Sequence, residues 1–152
     1  MSKGFLKKYL SQQDLGKISS AIAEAELQTN GEIRVSIRHR RHWRERKLSL
    51  HEVAVFEFHR MKMHETSGRS AVLIFLLFNE RVFHIVADEG IHSKVSDGTW
   101  ERIAKDMSQH FREGNFASGI CAGVDAVGAV LRSHFPRTSD HRNELSDEVN
   151  IS

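Results

Sequence analysis

Cysteine and proline are scarce in this sequence. Among 152 residues there is one cysteine, Cys121, and one proline, Pro136. A single cysteine cannot form an internal disulfide, so a disulfide-stabilised scaffold is excluded and nothing in the sequence requires an oxidising compartment. The scarcity of proline favours long helices over loops punctuated by proline. A chain of this length is expected to build one hydrophobic core rather than two independent ones.

Long hydrophobic runs and a strong net charge are also lacking. The longest apolar run, residues 71–78, has eight residues, whereas a membrane-spanning helix needs about 20. Lysines interrupt the apolar residues near the N-terminus, so the hydrophobic stretch of a secretory signal is missing. The 22 Lys and Arg and the 20 Asp and Glu leave a net charge of +2, which does not indicate a globally basic nucleic-acid-binding protein. We therefore expect a soluble, cytoplasmic protein without a transmembrane segment.

Hydrophobic periodicity predicts helices and strands in alternation. An apolar stripe over residues 15–25 predicts a first helix, and strict alternation over residues 32–38 predicts a strand with one buried face. Ser49 and Glu52 have the spacing of a capping box, in which each side chain accepts a hydrogen bond from the other residue's backbone amide. A second helix is therefore expected to begin there and to run to about residue 64.

The second half of the chain predicts a hairpin followed by two helices. The apolar run at residues 71–78 lacks alternation, as is typical of a central strand, and residues 82–87 can pair with it as a hairpin. Residues 88–90 are then expected to form a turn. Apolar residues at helical spacing over residues 100–111 and 118–134 predict two more helices.

This order of elements predicts a small α/β domain. The first two strands are joined through a helix, so they can lie parallel in a right-handed crossover, and the hairpin adds an antiparallel strand. The single proline falls just after the last predicted helix. We therefore assign residues 1–136 to the folded domain, and residues 137–152, which are polar and lack an apolar pattern, to a flexible C-terminal tail.

Several segments together resemble the TPM-domain family, whose name joins a thylakoid-lumen protein with acid phosphatase activity, a photosystem II repair protein and a nematode acetylcholine-receptor modulator. The likeness covers roughly residues 5 to 136. It implies a small mixed β-sheet of about three to four strands, covered by helices on both faces. The segments that carry it are residues 18–25 and the TNGEIRV run at 29–35, the strand at 72–78, VADEGI at 86–91, Trp100, and residues 111–119.

The resemblance also implies a possible metal site. Some family members bind divalent cations such as calcium through acidic residues at loop ends of the sheet, including an Asp-Asn-Gly-like loop before the central strand. Here that loop, residues 66–70, contains no acid and includes Arg69, and a hard cation needs several oxygen ligands and is repelled by a guanidinium. Asp88 and Glu89 match the family's acidic position after the third strand, and Asp97 follows soon after. These three acids are the candidate ligands for Ca²⁺ or Mg²⁺; alternatively they serve only as turn and helix-start residues.

A basic segment at residues 38–47 is the sharpest local feature. Six cationic residues there face one acid, Glu45, and such a charge can attract phosphate, nucleic acid or an anionic membrane surface. Trp43 is available for stacking or for burial at an interface. The alternative is a solvated loop between the first strand and the second helix. The candidate residues for an anion or partner are Arg38, Arg40, Arg41, Trp43, Arg44, Arg46, Lys47 and, from the other loop, Arg69.

No motif in the sequence specifies a reaction. The histidines do not supply the His-Glu-x-x-His spacing of a zinc site, so no catalytic residue is assigned. The lack of an acid in the loop at residues 66–70 favours a non-enzymatic interaction or regulatory module. The resemblance implies a membrane-associated protein partner for it, since relatives are often encoded near membrane-anchored proteins of the LemA family. The alternatives are a weak, metal-assisted acid phosphatase using Asp88 and Arg69, and anion or nucleic-acid binding through residues 38–47. The broad apolar surface of the second helix also leaves a homodimer open.

Overall fold

Helices and strands alternate along the chain in this computed structural model, which describes residues 2–139 and 145–152. A short 3₁₀ helix, Ser2–Lys8, precedes the first α-helix. The helices are α1 Gln12–Glu26, α2 Leu50–Arg60, α3 Glu89–His92, α4 Asp97–Arg112 and α5 Phe116–His134, and the strands are β1 Glu32–Arg38, β2 Ala71–Leu77, β3 Val82–Ala87 and β4 Asn150–Ile151.

The strands form one mixed sheet in the order β3-β2-β1-β4. β1 and β2 are parallel, with Glu32 opposite Ala71 and Arg38 opposite Leu77, and α2 lies in the connection between them. β3 returns antiparallel to β2 through a short 3₁₀ turn. The predicted crossover and the predicted hairpin are both confirmed.

Helices cover both faces of the sheet. Ile33, Val35 and Ile37 of β1 are fully buried in a cluster that also contains apolar residues of α1, α4 and α5. On the other face, Leu73 and Phe75 of β2 pack with apolar residues of α2. The predicted α/β architecture, a small mixed sheet between helical layers, is therefore confirmed.

Among the described helices, α5 is the one that is long and apolar enough, by length and composition, to cross a membrane. In this structure it packs into the protein core instead. A Cβ atom placed on Gly123 would lie 2.5 Å from the sulfur of Met107 in α4, and one on Gly128 would lie 2.8 Å from Cβ of Ala25 in α1. The glycines of α5 thus allow close approach to two helices, as in the core helix of a globular domain.

The second helix begins as predicted and ends earlier. The amide of Glu52 donates to Oγ of Ser49 at 3.1 Å and the amide of Ser49 donates to Oε1 of Glu52 at 2.9 Å, which confirms the capping box. α2 ends at Arg60 rather than near residue 64, because the backbone of Lys62 turns into the left-handed region at φ 59°. One large apolar side chain of α2, Phe56, is 58% exposed.

The C-terminal segment differs from the predicted flexible tail. Asn150–Ile151 forms β4, parallel to β1, and the amide of Ser152 donates to the carbonyl oxygen of Ile37 at 2.9 Å. The side-chain amide of Asn150 also donates to Oγ of Ser36 at 3.1 Å. β4 pairs with an edge of β1 that would otherwise be open, and Asn150 adds a partly buried polar contact. These contacts hold a segment whose hydrophobic pattern is too short to be detected from the sequence. The part of the predicted tail at residues 140–144 lies outside the described residues.

Candidate functional site

The predicted acidic and basic residues lie at opposite edges of the sheet. Because β1 and β2 are parallel, the loop at residues 66–70 enters β2 at one edge, and the loop at residues 39–48 leaves β1 at the other. The seven-residue strands separate these edges by roughly 20 Å, at about 3.3 Å per residue. β3 runs antiparallel and returns the chain to the first edge at Asp88. The candidate residues therefore form two separate sites.

At the first edge, Arg69 and Asp88 form a bidentate ion pair. Nε of Arg69 donates to Oδ2 of Asp88 at 3.0 Å, and Nη2 donates to Oδ1 at 3.2 Å. This hydrogen-bonded pairing with Asp88 raises the pKa of the Arg69 guanidinium above its ordinary value. Oδ1 of Asp88 also accepts the amide of Glu89 at 2.8 Å, so Asp88 caps the N-terminus of α3. The predicted turn at residues 88–90 is the first turn of this short helix.

A close backbone contact presses this turn against the loop that carries Arg69. The amide of Gly90 donates to the carbonyl oxygen of Arg69 at 2.9 Å. A Cβ atom at position 90 would lie 2.4 Å from the carbonyl oxygen of Gly68, a distance that real side chains do not tolerate. Arg69 itself has a left-handed backbone at φ 50°. The glycine of the DEG sequence is therefore required by packing between two backbones.

The donor set at this edge does not fit Ca²⁺ or Mg²⁺. Both oxygens of Asp88 are engaged by Arg69, and Nη2 of Arg69 lies 3.7 Å from the carboxylate of Glu89. Asp97 lies in the exposed first turn of α4. No group of three His, Cys, Asp or Glu side chains suited to a metal occurs within residues 2–139 and 145–152. The predicted cluster of Asp88, Glu89 and Asp97 is not formed, because a guanidinium stands where a hard cation would need oxygen ligands.

At the opposite edge, Arg38 is buried, contrary to its predicted place in an anion-binding surface. Its side chain is 3% exposed, and Nη2 lies 2.7 Å from Oε1 of Glu57 in α2. Nη1 pairs with the carboxylate of Glu45. Oγ of Ser36 donates to Oε2 of Glu57 at 2.6 Å. On the polar face of β1, Ser36 and Arg38 are thus both bonded to one buried carboxylate of α2.

Arg41 is likewise engaged within the protein's own structure, at a partly buried position. Its Nη1 donates to the carbonyl oxygen of Glu45 at 2.9 Å and to that of Leu48, and its Nε pairs with the carboxylate of Glu80 beyond β2. The amide of His42 donates to Oε1 of Glu45 at 2.8 Å. These contacts fix the backbone between β1 and α2, so Arg38 and Arg41 hold the loop rather than bind a ligand.

The remaining basic residues project from this loop into solvent. Trp43 is 73% exposed, and the guanidinium of Arg46 stacks on its ring at 4.4 Å from the ring centre. Arg40, Arg44, Arg46 and Lys47 form no ion pair with an acid within the described residues. We call this set the Trp43 surface; it consists of Arg40, Trp43, Arg44, Arg46 and Lys47.

Sequence reasoning missed two buried acids, Glu26 and Glu57. Glu57 falls within the apolar positions of α2, beside Val53 and Ala54 at helical spacing, and Glu26 continues the spacing of buried residues in α1. An acid on an apolar helix face was the available signal. Glu57 anchors Arg38, while Oε2 of Glu26 accepts the amide of Ile33 at the start of β1, at 2.8 Å.

Comparisons with known proteins agree on one family and one fold. The family model described as "TPM domain" matches residues 6–130. The solution structure of BA42 from the psychrophilic bacterium Bizionia argentinensis is 30% identical, with 95% of this chain and 96% of that chain covered and a TM-score of 0.85. No curated protein matches this chain.

Two more distant structures share the fold alone. The N-terminal domain of a protein from P.gingivalis is 21% identical over 90% of this chain and 83% of that chain, with a TM-score of 0.67. The N-terminal domain of cg2496 from Corynebacterium glutamicum is 15% identical over 89% and 81%, with a TM-score of 0.59. The sheet and its helical layers are thus shared by chains that have few residues in common.

Proposed function

This chain belongs to the TPM domain family, and we propose that it is a non-enzymatic cytoplasmic interaction module that binds an anionic membrane surface, and a partner located there, through the Trp43 surface. The observation that carries the proposal is a difference between the basic residues of the loop. Arg38 and Arg41 hold the loop from inside, whereas the other four cations and Trp43 face solvent.

The rigidity of the loop favours binding because ordering a flexible segment costs free energy at the moment of contact. Here the backbone from His42 to Leu48 is already fixed by hydrogen bonds to Arg41 and Glu45. The Trp43 ring is also held in place by its contact with Arg46. The loop therefore presents an amphipathic ring and several charges in a single arrangement.

The size of the expected effect follows from the charges. A Lys or Arg near an anionic bilayer contributes about 1 kcal/mol, and the contribution falls off within a Debye length. Four such residues therefore supply roughly 4 kcal/mol, which corresponds to about a thousandfold preference for an anionic over a neutral surface. Trp43 adds the preference of an aromatic ring with a polar N–H for the headgroup region.

The opposite edge supports a role other than metal-assisted hydrolysis. Asp88, the acid that the phosphatase alternative would use, is 6% exposed and paired on both oxygens with Arg69. A phosphate clamp would need a free guanidinium, and this one is neutralised by its partner. Binding of nucleic acid by the Trp43 surface stays an alternative, which the experiment below distinguishes.

Cosedimentation with lipid vesicles tests the proposal. We expect the protein to bind vesicles containing about one-third anionic lipid and to ignore vesicles of neutral phosphatidylcholine, with binding lost as salt is raised. Removing three exposed cations in the variant Arg40→Ala, Arg44→Ala, Lys47→Ala is expected to weaken binding about a hundredfold. The matched control, Lys17→Ala, Arg102→Ala, Lys105→Ala, removes three exposed charges from α1 and α4 and is expected to bind normally.

Three results would contradict the proposal. Equal loss in the control variant would mean that net charge alone drives binding. Tighter binding to a duplex oligonucleotide than to anionic vesicles, lost in the loop variant, would favour the nucleic-acid alternative. Hydrolysis of a small aromatic phosphate in the presence of Ca²⁺ or Mg²⁺, abolished by Asp88→Asn, would show that the chain is an enzyme.

A further inference from the structure

A cavity of about 610 Å³ lies beyond the C-terminal end of β2, between the hairpin and helices α4 and α5. This volume lies within the usual range of small-molecule sites, about 300–1,000 Å³. In α/β sheets, ligands commonly bind outside the carboxyl ends of the parallel strands. None of the predicted site residues lines the cavity, which is therefore separate from the Trp43 surface and from the Arg69–Asp88 pair.

The walls of the cavity are unusually aromatic. The rings of Tyr9 and Phe116 meet edge to face with their centres 5.2 Å apart, and those of Phe83 and Phe111 do so at 5.3 Å. Phe78 lies 5.2 Å from Tyr9, and the stacked rings of Phe111 and Phe116, 5.9 Å apart, join the two pairs. The chain has ten Phe and Tyr residues in all, so half of them line this one space. All five are only partly buried, which leaves ring surface available to a further flat apolar group.

Two arginines give the cavity a charge. Arg81, at the end of the hairpin turn, and Arg112, in the last turn of α4, both line it, and no acid does. Within the described part of the chain, neither guanidinium has a hydrogen-bond or ion-pair partner. Arg81 is also held in a left-handed backbone conformation at φ 56°, an uncommon conformation for a residue that is not glycine. Ser108 adds one small polar group.

We propose that this cavity binds a small aromatic carboxylate, with its ring among Tyr9, Phe78 and Phe116 and its carboxylate on Arg81 and Arg112. The fork of a guanidinium matches the two oxygens of a carboxylate, and two exposed arginines at the mouth of the cavity can reach a carboxylate whose ring lies among the aromatic side chains. Edge-to-face contacts with the surrounding rings then select a flat aromatic group over a branched aliphatic one.

NMR titration of the whole chain with 2-naphthoate tests this site. We expect amide shifts at residues 76–83 and 108–116, and none at residues 39–48 or 66–70. The uncharged analogue 2-naphthalenemethanol is expected to bind about tenfold more weakly, because it cannot pair with the arginines. The double variant Arg81→Asn, Arg112→Gln is expected to bind naphthoate about tenfold more weakly or worse; Asn is chosen because it tolerates the left-handed conformation at position 81.

Two further variants keep the test decisive. Arg102→Gln removes an exposed arginine of α4 that does not line the cavity, and it is expected to bind naphthoate as the unmodified chain does. Ser108→Leu places an apolar side chain in the cavity; it is expected to lower naphthoate affinity about tenfold without lowering the unfolding temperature. The proposal is wrong if naphthoate causes no shifts at millimolar concentration, if the shifts map to the Trp43 surface, or if the neutral analogue binds equally well.

Discussion

Two buried glutamates on opposite faces of the sheet differ in charge, because one is ionised at neutral pH and the other is protonated. Glu57 of α2 is fully buried, and Glu26 of α1 is 5% exposed. Burial by itself raises the pKa of Glu57, but hydrogen bonds from Ser36 and Arg38, the charge of Arg38 and a hydrogen bond from Arg60 outweigh it, so the pKa of Glu57 falls below its ordinary value. Glu57 is therefore an anion inside the protein.

Glu26 has a comparable position, but its carboxyl group forms no ion pair in the part of the chain that the structure describes; Arg137 donates to its backbone carbonyl oxygen instead, at 2.7 Å. Burial, a hydrogen bond with Asp147 and the negative charges of Asp147 and Glu32 raise its pKa from 4.5 to about 9, although the amide of Ile33 acts in the opposite direction. Glu26 is therefore protonated at neutral pH. The comparison teaches that the partners of a buried carboxyl, more than its depth, decide whether it is charged.

The two residues give stability opposite dependences on pH. A carboxyl with a lowered folded pKa stabilises the fold above its unfolded pKa, 4.5, and loses that contribution as the pH falls through the folded pKa. A carboxyl with a raised folded pKa makes the fold less stable as the pH rises from 4.5 towards 9, because the unfolded chain ionises first. Each of the two glutamates can be substituted separately, so the two pH dependences can be tested one at a time.

The largest effect is expected from Glu57→Gln. This variant leaves the Arg38 guanidinium buried with only Glu45 as a charged partner, and breaking a buried pair costs about 3–5 kcal/mol. Urea unfolding at pH 7 measures the loss. The control is Glu101→Gln, which changes an exposed acid of α4. Its free energy of unfolding is expected to lie within about 0.5 kcal/mol of that of the unmodified chain. A loss no larger than the control's would show that the network contributes nothing to stability.

A medium effect of opposite sign is expected from Glu26→Gln. The amide keeps the acceptor for the Ile33 amide and supplies a donor towards Asp147, as the protonated acid does. The variant is expected to equal the unmodified chain below pH 4.5 and to gain stability relative to it as the pH rises towards 9, by at most about 1.4 kcal/mol per pH unit. Unfolding curves at half-unit pH steps measure this, and an unchanged slope with pH would mean that Glu26 ionises normally.

The smallest effect is expected from Arg60→Ala. Arg60 bonds both oxygens of Glu57 at 3.0 and 2.9 Å, but its own side chain is 53% exposed. Exposed partners of this kind contribute about 0.2–1 kcal/mol. Thermal unfolding of the variant and of Arg102→Ala as control measures the difference. A loss of stability as large as that of Glu57→Gln would mean that Arg60, rather than Arg38, keeps Glu57 ionised.

Most of the fold was predictable because periodicity reports burial directly. Alternation of Ile33, Val35 and Ile37 identified β1, and the Ser49 capping box located the start of α2. Pairing partners that lie far apart in sequence leave no such signal. The register of Asn150 against Ser36 depends on contacts made after folding, so β4 was missed.

The candidate sites were only partly predictable for a related reason. Charge counts identified the basic loop, yet they could not separate Arg38 and Arg41, which bond acceptors of the protein itself, from the exposed Arg40 and Arg44. That distinction depends on Glu57 and on carbonyl groups whose positions only the fold determines. The substitution of the acidic loop by Arg69 was readable from the sequence, whereas its bidentate contact with Asp88 was not.

The segment that forms β4 also holds the entry to the loop that carries the Trp43 surface. The amide of His39, the first residue after β1, donates to the carbonyl oxygen of Ser152 at 3.1 Å. Asn150 meets Ser36 across a separation of 114 positions. The amide of Asn79 also donates to the carbonyl oxygen of His39, at 2.7 Å. The entry to the basic loop is therefore held from both sides of β1, and removal of residues 150–152 would leave only the contact on the β2 side.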